Sequence, residues 1–258
     1  MTAHARPMLF GVPFSALTHS ETVAAVAAAL PEGRGGWILP LNLECLRQLR
    51  RSRELRRFAD AADLVLADGM PLVWAARLQG APVPERVAGS DVTWSLAGAA
   101  ARARASVYLL GGAPGTAELA AERLRRQFPG LVVAGVLSPP LGFERDPDQL
   151  AVIAAALTVA RPSIVFVGLG FPKQEKLIEW LRPRFPDTWF MSVGGSLDFI
   201  AGRIDRAPRW MQAAGLEWLH RLTHEPRRLF KRYILLDLPF ALRLYGHVAW
   251  TRSKSRLV

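Results

Sequence analysis

Acidic and amide side chains that could carry out acid–base chemistry directly follow apolar runs in this sequence. Asp68 follows the run at residues 63–67, and Asn42 follows the run at residues 37–41. A carboxylate at the end of a buried strand can act as a general base towards a hydroxyl group. Asp68 could equally cap the helix that Pro71 opens, by accepting a backbone N–H bond. The two roles do not exclude each other, and both stay open.

A glycine-rich segment at residues 111–115 stands between another apolar run and a helical pattern. Gly111, Gly112 and Gly115 leave room for backbone N–H groups to approach a phosphate, and a following helix N-terminus favours negative charge. An ordinary tight turn would need the same glycines. The segment has neither the GxGxxG spacing of dinucleotide-binding loops nor a Walker sequence, which argues against NAD and ATP.

Two further glycine segments carry polar side chains. Gln174 ends a stretch at residues 168–174 that contains two glycines and a proline, and its amide can donate to and accept from sugar hydroxyls. This density of special residues favours a functional role. Asp198 follows Gly194 and Gly195. It could bind ligand hydroxyls or pair with a nearby arginine as a structural acid, which is the commoner role of an isolated carboxylate.

The elements that would position these groups alternate along the chain. The continuous apolar runs predict strands at residues 37–41, 63–67, 106–110, 131–136, 163–168 and 188–193, with helices between them. One helix is predicted at residues 44–59, and another is expected to be capped by Ser90 or Asp91. Continuous apolar strands are typical of a parallel sheet covered on both faces. We therefore predict an α/β fold whose ligands bind beyond the carboxyl ends of the strands.

The end of the chain differs from the rest. Residues 202–258 contain 12 basic and 4 acidic residues, which accounts for most of the net charge of +11. The pattern predicts two or three amphipathic helices, broken at Pro226 and Pro239. Their arginines could bind a diphosphate through paired hydrogen bonds or could form a solvated helix face. The mixture with Trp and Phe favours a helix at a membrane interface, and a homo-oligomer that covers the apolar faces stays open.

Composition excludes several classes of protein. The single cysteine, Cys45, rules out a disulfide scaffold and a cysteine-based zinc site, and it fits a reducing compartment. No run of about 20 apolar residues predicts a membrane span. Asp146-Pro147-Asp148 resembles a metal-binding DxD sequence but stands at a predicted helix start, where an acidic cap suffices. We expect neither a metal ion nor another cofactor.

These segments, taken in order, resemble the WecG/TagA/CpsF family of bacterial glycosyltransferases, glycosyltransferase family 26. The resemblance runs from Phe10 to about Tyr245. It rests on the following segments: Ala67-Asp68-Gly69, the glycine segment at 111–115, residues 170–175, Arg206-Ala207-Pro208, residues 215–221 and Glu225-Pro226-Arg227-Arg228. Each segment alone is weak evidence, whereas their order is specific.

The resemblance implies an inverting transfer of a sugar, of the N-acetylmannosamine type or glucose, from a UDP-sugar to a sugar on a polyprenyl diphosphate, as a step in building a cell-surface polysaccharide. It implies a Rossmann-like catalytic domain at residues 1–205 and a helical appendage at 206–258 that associates with the membrane and closes the active site. The protein would be cytoplasmic and peripheral on the inner face of the membrane. The UDP-sugar is then a co-substrate rather than a cofactor.

The resemblance also gives roles to individual positions. Asp68 matches the proposed catalytic base, Asn42 a residue near the acceptor sugar and Gln174 a residue near the reacting region. Two groups of positions match binding sites for the donor nucleotide and for the diphosphate. They are Gly111, Gly112, Gly115 and Asp198 for the nucleotide, and Arg221, Arg228 and Lys231 for the diphosphate.

Two positions depart from the family pattern. Pro40 stands where a threonine is common, which removes a hydroxyl near the substrates, and Lys231 stands where an arginine is common. The runner-up interpretation is a nucleotide-binding α/β protein at the membrane that is non-catalytic or catalyses another reaction, such as an oxidoreductase. The charge alone would also suit a nucleic-acid binder, but aromatic residues in leucine-rich helices suit lipid better, so we expect no nucleic-acid partner.

Overall fold

A computed structural model describes residues 6–81, 83–224 and 226–254, with the backbone alone at residues 209, 213, 228 and 251–254. The strands are β1 (Met8–Leu9), β2 (Val12–Pro13), β3 (Gly36–Leu41), β4 (Leu64–Ala67), β5 (Ser106–Gly111), β6 (Val132–Leu137), β7 (Ile164–Gly168) and β8 (Trp189–Ser192). The helices before the appendage are α1 (His19–Ala29), α2 (Leu43–Arg51), α3 (Arg53–Ala61), α4 (Met70–Gln79), α5 (Gly89–Ala103), α6 (Thr116–Gln127), α7 (Pro147–Ala160), α8 (Lys173–Leu181) and α9 (Ser196–Ala201). Short 3-10 helices occupy Phe143–Arg145 and Arg182–Arg184.

The predicted parallel sheet is present. Strands β3 to β8 form one six-stranded sheet in the order β4-β3-β8-β7-β5-β6, and every pair in it is parallel. β1 and β2 form a separate antiparallel pair. The fold is therefore α/β, as the continuous apolar runs indicated.

Helices cover both faces of the sheet, because alternate strand residues point to opposite sides. Leu39 of β3 joins a core with α2, α3, α4, α7 and α8. Its neighbour Ile38 joins a second core with α1, α5, α6 and α9. Both side chains are fully buried, so each face is sealed from water and the polar groups concentrate at the ends of the strands.

Three helix predictions are wrong in detail. The helix predicted at residues 44–59 is two helices, because Ser52 is extended and its hydroxyl accepts a hydrogen bond from Leu55 N, which caps α3. α5 begins at Gly89 with Ala88 as its N-cap, so neither Ser90 nor Asp91 caps it. Pro239 lies in the first turn of the last helix rather than in a break.

The part of the appendage that the structure describes contains four α-helices and a π-helix, so the prediction of two or three helices is wrong. The helices are α10 (Arg209–Ala213), α11 (Glu217–His224), α12 (Pro226–Phe230), a π-helix at Lys231–Asp237 and α13 (Leu238–Lys254). α13 buries Leu244 and Val248 in the core on the α4 side of the sheet. The division of the chain at residue 205 stays a prediction. Within the described ranges, no helix is both long enough and apolar enough to span a bilayer.

A buried ion pair joins the appendage to the sheet domain. Arg47 Nε in α2 donates to Asp237 Oδ1 at 2.9 Å, and both side chains are almost fully buried. Arg232 Nη2 lies 2.8 Å from Glu44 Oε2 at the start of the same helix α2. Moving the π-helix away from α2 would leave a buried charge without its partner, which is costly. These contacts therefore hold the π-helix in position against α2.

Candidate active site

A cavity of about 630 Å³ opens at the carboxyl ends of the strands, between the sheet and the appendage. Its floor comes from the residues that follow β3, β4, β7 and β8, and its roof comes from α11, the π-helix and α13. This is the edge at which parallel α/β sheets bind their ligands. The predicted residues Asn42, Asp68, Gln174, Asp198 and Arg221 all line it.

Asp68 stands directly after β4 and faces the cavity. It is not a helix cap, since Gly69 holds the N-cap position of α4 and no side chain caps that helix. The Asp68 Oδ2 atom instead accepts a hydrogen bond from Gly89 N at 3.2 Å. Burial raises the pKa of Asp68 above its ordinary value, against the opposing effects of the Gly89 N–H and of Arg86. A carboxylate with a raised pKa is a stronger base than an exposed aspartate.

Asn42 and Pro40 flank this carboxylate on the β3 side. Asn42 caps α2 by accepting a hydrogen bond from Cys45 N at 3.0 Å on Oδ1, which leaves its Nδ2 group to donate to a ligand. Pro40 lies beyond Ile38, the last β3 residue paired with β8, so its missing N–H costs no bond in that ladder. A Cβ built on Gly89 would lie 3.2 Å from the Pro40 ring and 3.4 Å from Asp68 Oδ2. Pro40 therefore presents an apolar ring beside Asp68.

Gln174 is more tightly engaged than the sequence indicated. It is 6% exposed, and its Oε1 accepts hydrogen bonds from the backbone N–H groups of Leu169, Gly170 and Gly194 at 3.1–3.3 Å. Its Nε2 donates to Glu175 Oε1 at 2.8 Å. Gln174 thus lines the cavity while it joins the loop after β7 to the loop after β8.

The glycine segment at residues 111–115 lies beside the cavity but is not part of its lining. A Cβ on Gly111 would come within 2.3 Å of the Gly168 carbonyl oxygen, so this strand end requires glycine. Gly112 N donates to that same oxygen at 2.9 Å. Gly115 has a positive φ of 77° and forms the N-cap of α6. These contacts support the interpretation of the segment as a tight turn. The phosphate-binding role of Gly111, Gly112 and Gly115 stays a prediction.

Three cationic residues of the appendage have different surroundings. Arg221 lines the cavity, with its guanidinium 5.5 Å from the centre of the Phe199 ring, and its Nε is buried without a hydrogen-bond partner among the described residues. Lys231 is exposed and does not line the cavity, whereas its neighbour Arg232 does. The side chain of Arg228 lies outside the described residues.

Sequence reasoning missed Arg86 and Glu217. Arg86 Nη1 donates to Glu217 Oε2 at 3.1 Å, and both residues line the cavity. Arg206 extends the cluster, since its Nε lies 3.5 Å from Glu217 Oε1 and it binds both carboxylate oxygens of Asp91. These residues are 131 positions apart at the widest, so no spacing pattern marks them. The sequence did offer one indication of Glu217, because this residue lies within the family segment at residues 215–221.

The Asp146 sequence is an acidic cap, as expected. Asp146 Oδ1 accepts hydrogen bonds from Asp148 N at 2.9 Å and from Gln149 N at 3.4 Å at the start of α7. Within the part of the chain that the structure describes, no group of three or more His, Cys, Asp or Glu side chains is arranged to hold a metal ion. The expectation of a metal-independent reaction stays a prediction.

Comparisons with known proteins identify the family of the chain. The family model described as "Glycosyl transferase WecG/TagA/CpsF family" matches residues 7–255. A Bacillus spizizenii protein named N-acetylglucosaminyldiphosphoundecaprenol N-acetyl-beta-D-mannosaminyltransferase is 33% identical over 214 residues, covering 83% of this chain and 79% of the relative. A protein of the same name from Bacillus subtilis strain 168 is 31% identical over 205 residues, covering 80% and 77%.

Proposed function

The chain belongs to the WecG/TagA/CpsF family of glycosyl transferases, and we propose that it transfers N-acetylmannosamine from a UDP-sugar to N-acetylglucosamine on undecaprenyl diphosphate. The donor sugar and the acceptor follow the names of the two Bacillus relatives. The observation that carries the proposal is the Asp68 carboxylate, which faces a cavity of substrate size under a helix that presents Arg221. The reaction would be one step in the synthesis of a cell-surface polysaccharide.

Asp68 acts as the general base in this proposal. Its carboxylate takes the proton of the acceptor hydroxyl while the hydroxyl oxygen bonds to the anomeric carbon of the donor. The bond from that carbon to the diphosphate breaks, and UDP leaves with the electron pair. A single displacement inverts the anomeric centre, which yields a β-linked product from an α-linked nucleotide sugar. The Nδ2 group of Asn42, on the same side of the cavity, is available to orient the acceptor sugar.

Cationic side chains compensate the charge of the leaving diphosphate. Arg221 and Arg232 line the roof of the cavity. The Nε atom of Arg221 is buried without a hydrogen-bond partner among the described residues, whereas Arg232 already pairs with Glu44 and Asp237. Since a buried unsatisfied donor is costly, an anionic ligand that accepts from Arg221 Nε would bind favourably. We infer that these guanidinium groups stabilise the charge on UDP without a metal ion or other cofactor.

The topology supports a nucleotide site next to the cavity. β5 leads to β6 at the edge of the sheet, whereas its neighbour β7 leads the other way to β8. Such a switch point leaves a crevice beyond the strand ends, and it lies here at Gly111 and Gly168. We assign the donor nucleotide to this crevice, with the N-terminus of α6 towards the phosphates and Asp198 towards the hydroxyls.

The appendage suits a membrane surface. Large apolar side chains are exposed along it, namely Trp210, Trp218, Leu219, Phe230, Leu235, Leu238, Leu242 and Trp250. Basic side chains, including Arg227, Lys231 and Arg243, are exposed on the same helices. Apolar and basic residues together bind anionic lipid surfaces. We infer that the protein binds the inner face of the cell membrane peripherally, where the lipid-linked acceptor would be reached.

The test is UDP release by the purified full-length protein. Short-chain polyprenyl-diphosphate N-acetylglucosamine would be supplied as acceptor, with UDP-N-acetylmannosamine, UDP-glucose and UDP-N-acetylglucosamine in separate reactions, each with and without EDTA. We expect release only with the first donor and the acceptor together, at the same rate in EDTA. Release with UDP-glucose alone would replace the proposed donor. Absence of release with every pair, in detergent and in vesicles, would overturn the proposal.

A further inference from the structure

The two loops that form one wall of the cavity are joined through a single side-chain oxygen. Gly170 and Phe171 belong to the loop after β7, and Gly194 and Gly195 belong to the loop after β8. Gln174 Oε1 accepts backbone hydrogen bonds from both loops. Only one orientation of the amide permits this, because the rotated amide would bring its NH₂ group against the backbone N–H donors.

Glu175, the next residue of α8, selects that orientation. It is 1% exposed, and its Oε1 accepts the hydrogen bond from Gln174 Nε2 at 2.8 Å. A carboxylate can only accept, so it requires the NH₂ group on its side and leaves the amide oxygen to face the loops. No other arrangement of this pair satisfies the groups on both sides of the amide.

Glu175 is itself connected to the centre of the sheet. The hydroxyl of Ser192, the last residue of β8, interacts with the carboxylate and favours its charged form. That hydroxyl accepts a hydrogen bond from Trp37 Nε1 of β3 at 3.4 Å, and Trp37 is fully buried. Polar side chains therefore link β3 to both cavity loops through Ser192, Glu175 and Gln174, with Glu175 Oε2 left without a hydrogen-bond partner among the described residues.

A carboxylate is a costly choice at this position. Burial raises the pKa of Glu175 to about 7, because the charged form loses its solvation. The other buried positions of this helix, Leu177, Ile178 and Leu181, are apolar, so Gln174 and Glu175 are the polar exceptions in its buried face. Ionisable groups retained at such a cost are typical of functional sites.

We propose that Glu175 is a positioning residue for the transfer reaction, which acts by holding the Gln174 amide so that the two cavity loops keep their catalytic spacing. Glu175 does not touch the substrates in this arrangement. The inference rests on the proposed function for its kinetic readout, but the hydrogen-bonding arrangement can be tested without substrate.

The decisive experiment exchanges the two side chains, which preserves volume. Gln174→Glu places two carboxyl groups against each other, and we expect kcat to fall about 10²-fold because the loops are displaced. Glu175→Gln alone can turn either its oxygen or its NH₂ group towards Gln174, so the amide orientation is no longer fixed and we expect kcat to fall about tenfold. The double variant has an amide at 175 that donates to a carboxylate at 174. We expect it to recover kcat to within about tenfold of wild type.

The matched control is Glu179→Gln, one turn further along α8, where the carboxylate pairs with Arg57 at the surface. We expect wild-type kcat from it. Amide hydrogen exchange at Leu169, Gly170 and Gly194 gives a readout without substrate: Gln174→Glu should accelerate exchange there, and the double variant should restore protection. A double variant no better than Gln174→Glu in kcat and exchange would overturn the inference. If wild type lacks transferase activity, the exchange data alone decide it, and the proposed function fails separately.

Discussion

Glu217 of α11 accepts a hydrogen bond from Arg86 of the sheet domain at 3.1 Å, in the same cavity as Asp68 and near enough for both to shift its pKa. The pair sets both the position of the roof helix and the charge balance around the candidate base. Arg86 lowers the pKa of Asp68, and Glu217 raises it. One turn after Glu217 the same helix presents Arg221 to the cavity.

Glu217→Gln tests this coupling. The amide retains an acceptor for Arg86 but removes a negative charge near Asp68, so the pKa of Asp68 should fall and the acid limb of the pH–rate profile should move to lower pH. We expect transfer at neutral pH to drop about tenfold because a weaker base and a looser α11 act together. The control is Glu122→Gln, which disrupts a surface ion pair with Arg126 and should leave the profile unchanged.

Asp68→Asn tests the base itself. The asparagine can still accept from Gly89 N, but it cannot take a proton, so we expect kcat to fall by about 10²–10⁴-fold while UDP binding, measured by calorimetry, is retained. Because the folded protein disfavours the charged form of Asp68, the variant should melt no lower than wild type at pH 8. The exposed Asp187→Asn is the matched control. Wild-type turnover by Asp68→Asn would remove Asp68 from the mechanism.

Glu175 should make stability depend on pH. Its pKa of about 7 in the folded protein exceeds the ordinary 4.5, so the folded state holds the proton more strongly. The contribution of this group to the free energy of unfolding is therefore greatest below pH 4.5 and declines as the pH rises towards about 7, by about 3 kcal/mol in all. Glu175→Gln lacks this decline. Its melting temperature relative to wild type should be higher at pH 8 than at pH 5, and an equal difference at both pH values would contradict the assignment.

The membrane surface of the appendage can be tested by a pair of leucines. Leu242 is 65% exposed on α13, whereas Leu141 is fully exposed in the loop after β6. Burying one leucine contributes about 2 kcal/mol, so Leu242→Asp should weaken co-sedimentation with phosphatidylglycerol vesicles at least about tenfold. Leu141→Asp should bind as wild type does. Equal weakening by both variants would show that the attraction to vesicles is not specific to the appendage.

The sequence predicted the sheet well and the N-terminal part poorly. Continuous apolar runs located the six strands of the large sheet to within one or two residues, because strands buried on both faces leave no polar position. β1, β2 and α1 were not predicted. α1 had a readable signal, since Thr18 accepts from Glu21 N and the Glu21 side chain accepts from Thr18 N in a capping box.

The site was partly predictable for a related reason. Asn42 and Asp68 follow apolar strands directly, so their place at the ligand edge could be deduced from position alone. Arg86 lies in a loop between helices, where it lines the cavity and contacts Glu217, and no strand end marks its position in the sequence. The role of Gln174 in joining two loops depends on Gly194, which is 20 residues away, and no local pattern encodes such a bond.

The burial of Leu244 and Val248 of α13 has a consequence for the cooperativity of the molecule. These side chains belong to the same core as the strands and α4, and Tyr245 between them donates a hydrogen bond to Pro71 O at 3.1 Å, three residues after Asp68. The appendage and the sheet should consequently melt in one transition rather than two. Lipid that binds the appendage would then raise the melting temperature of the catalytic sheet as well. Binding of the protein to a membrane and the stability of its active site are therefore thermodynamically linked.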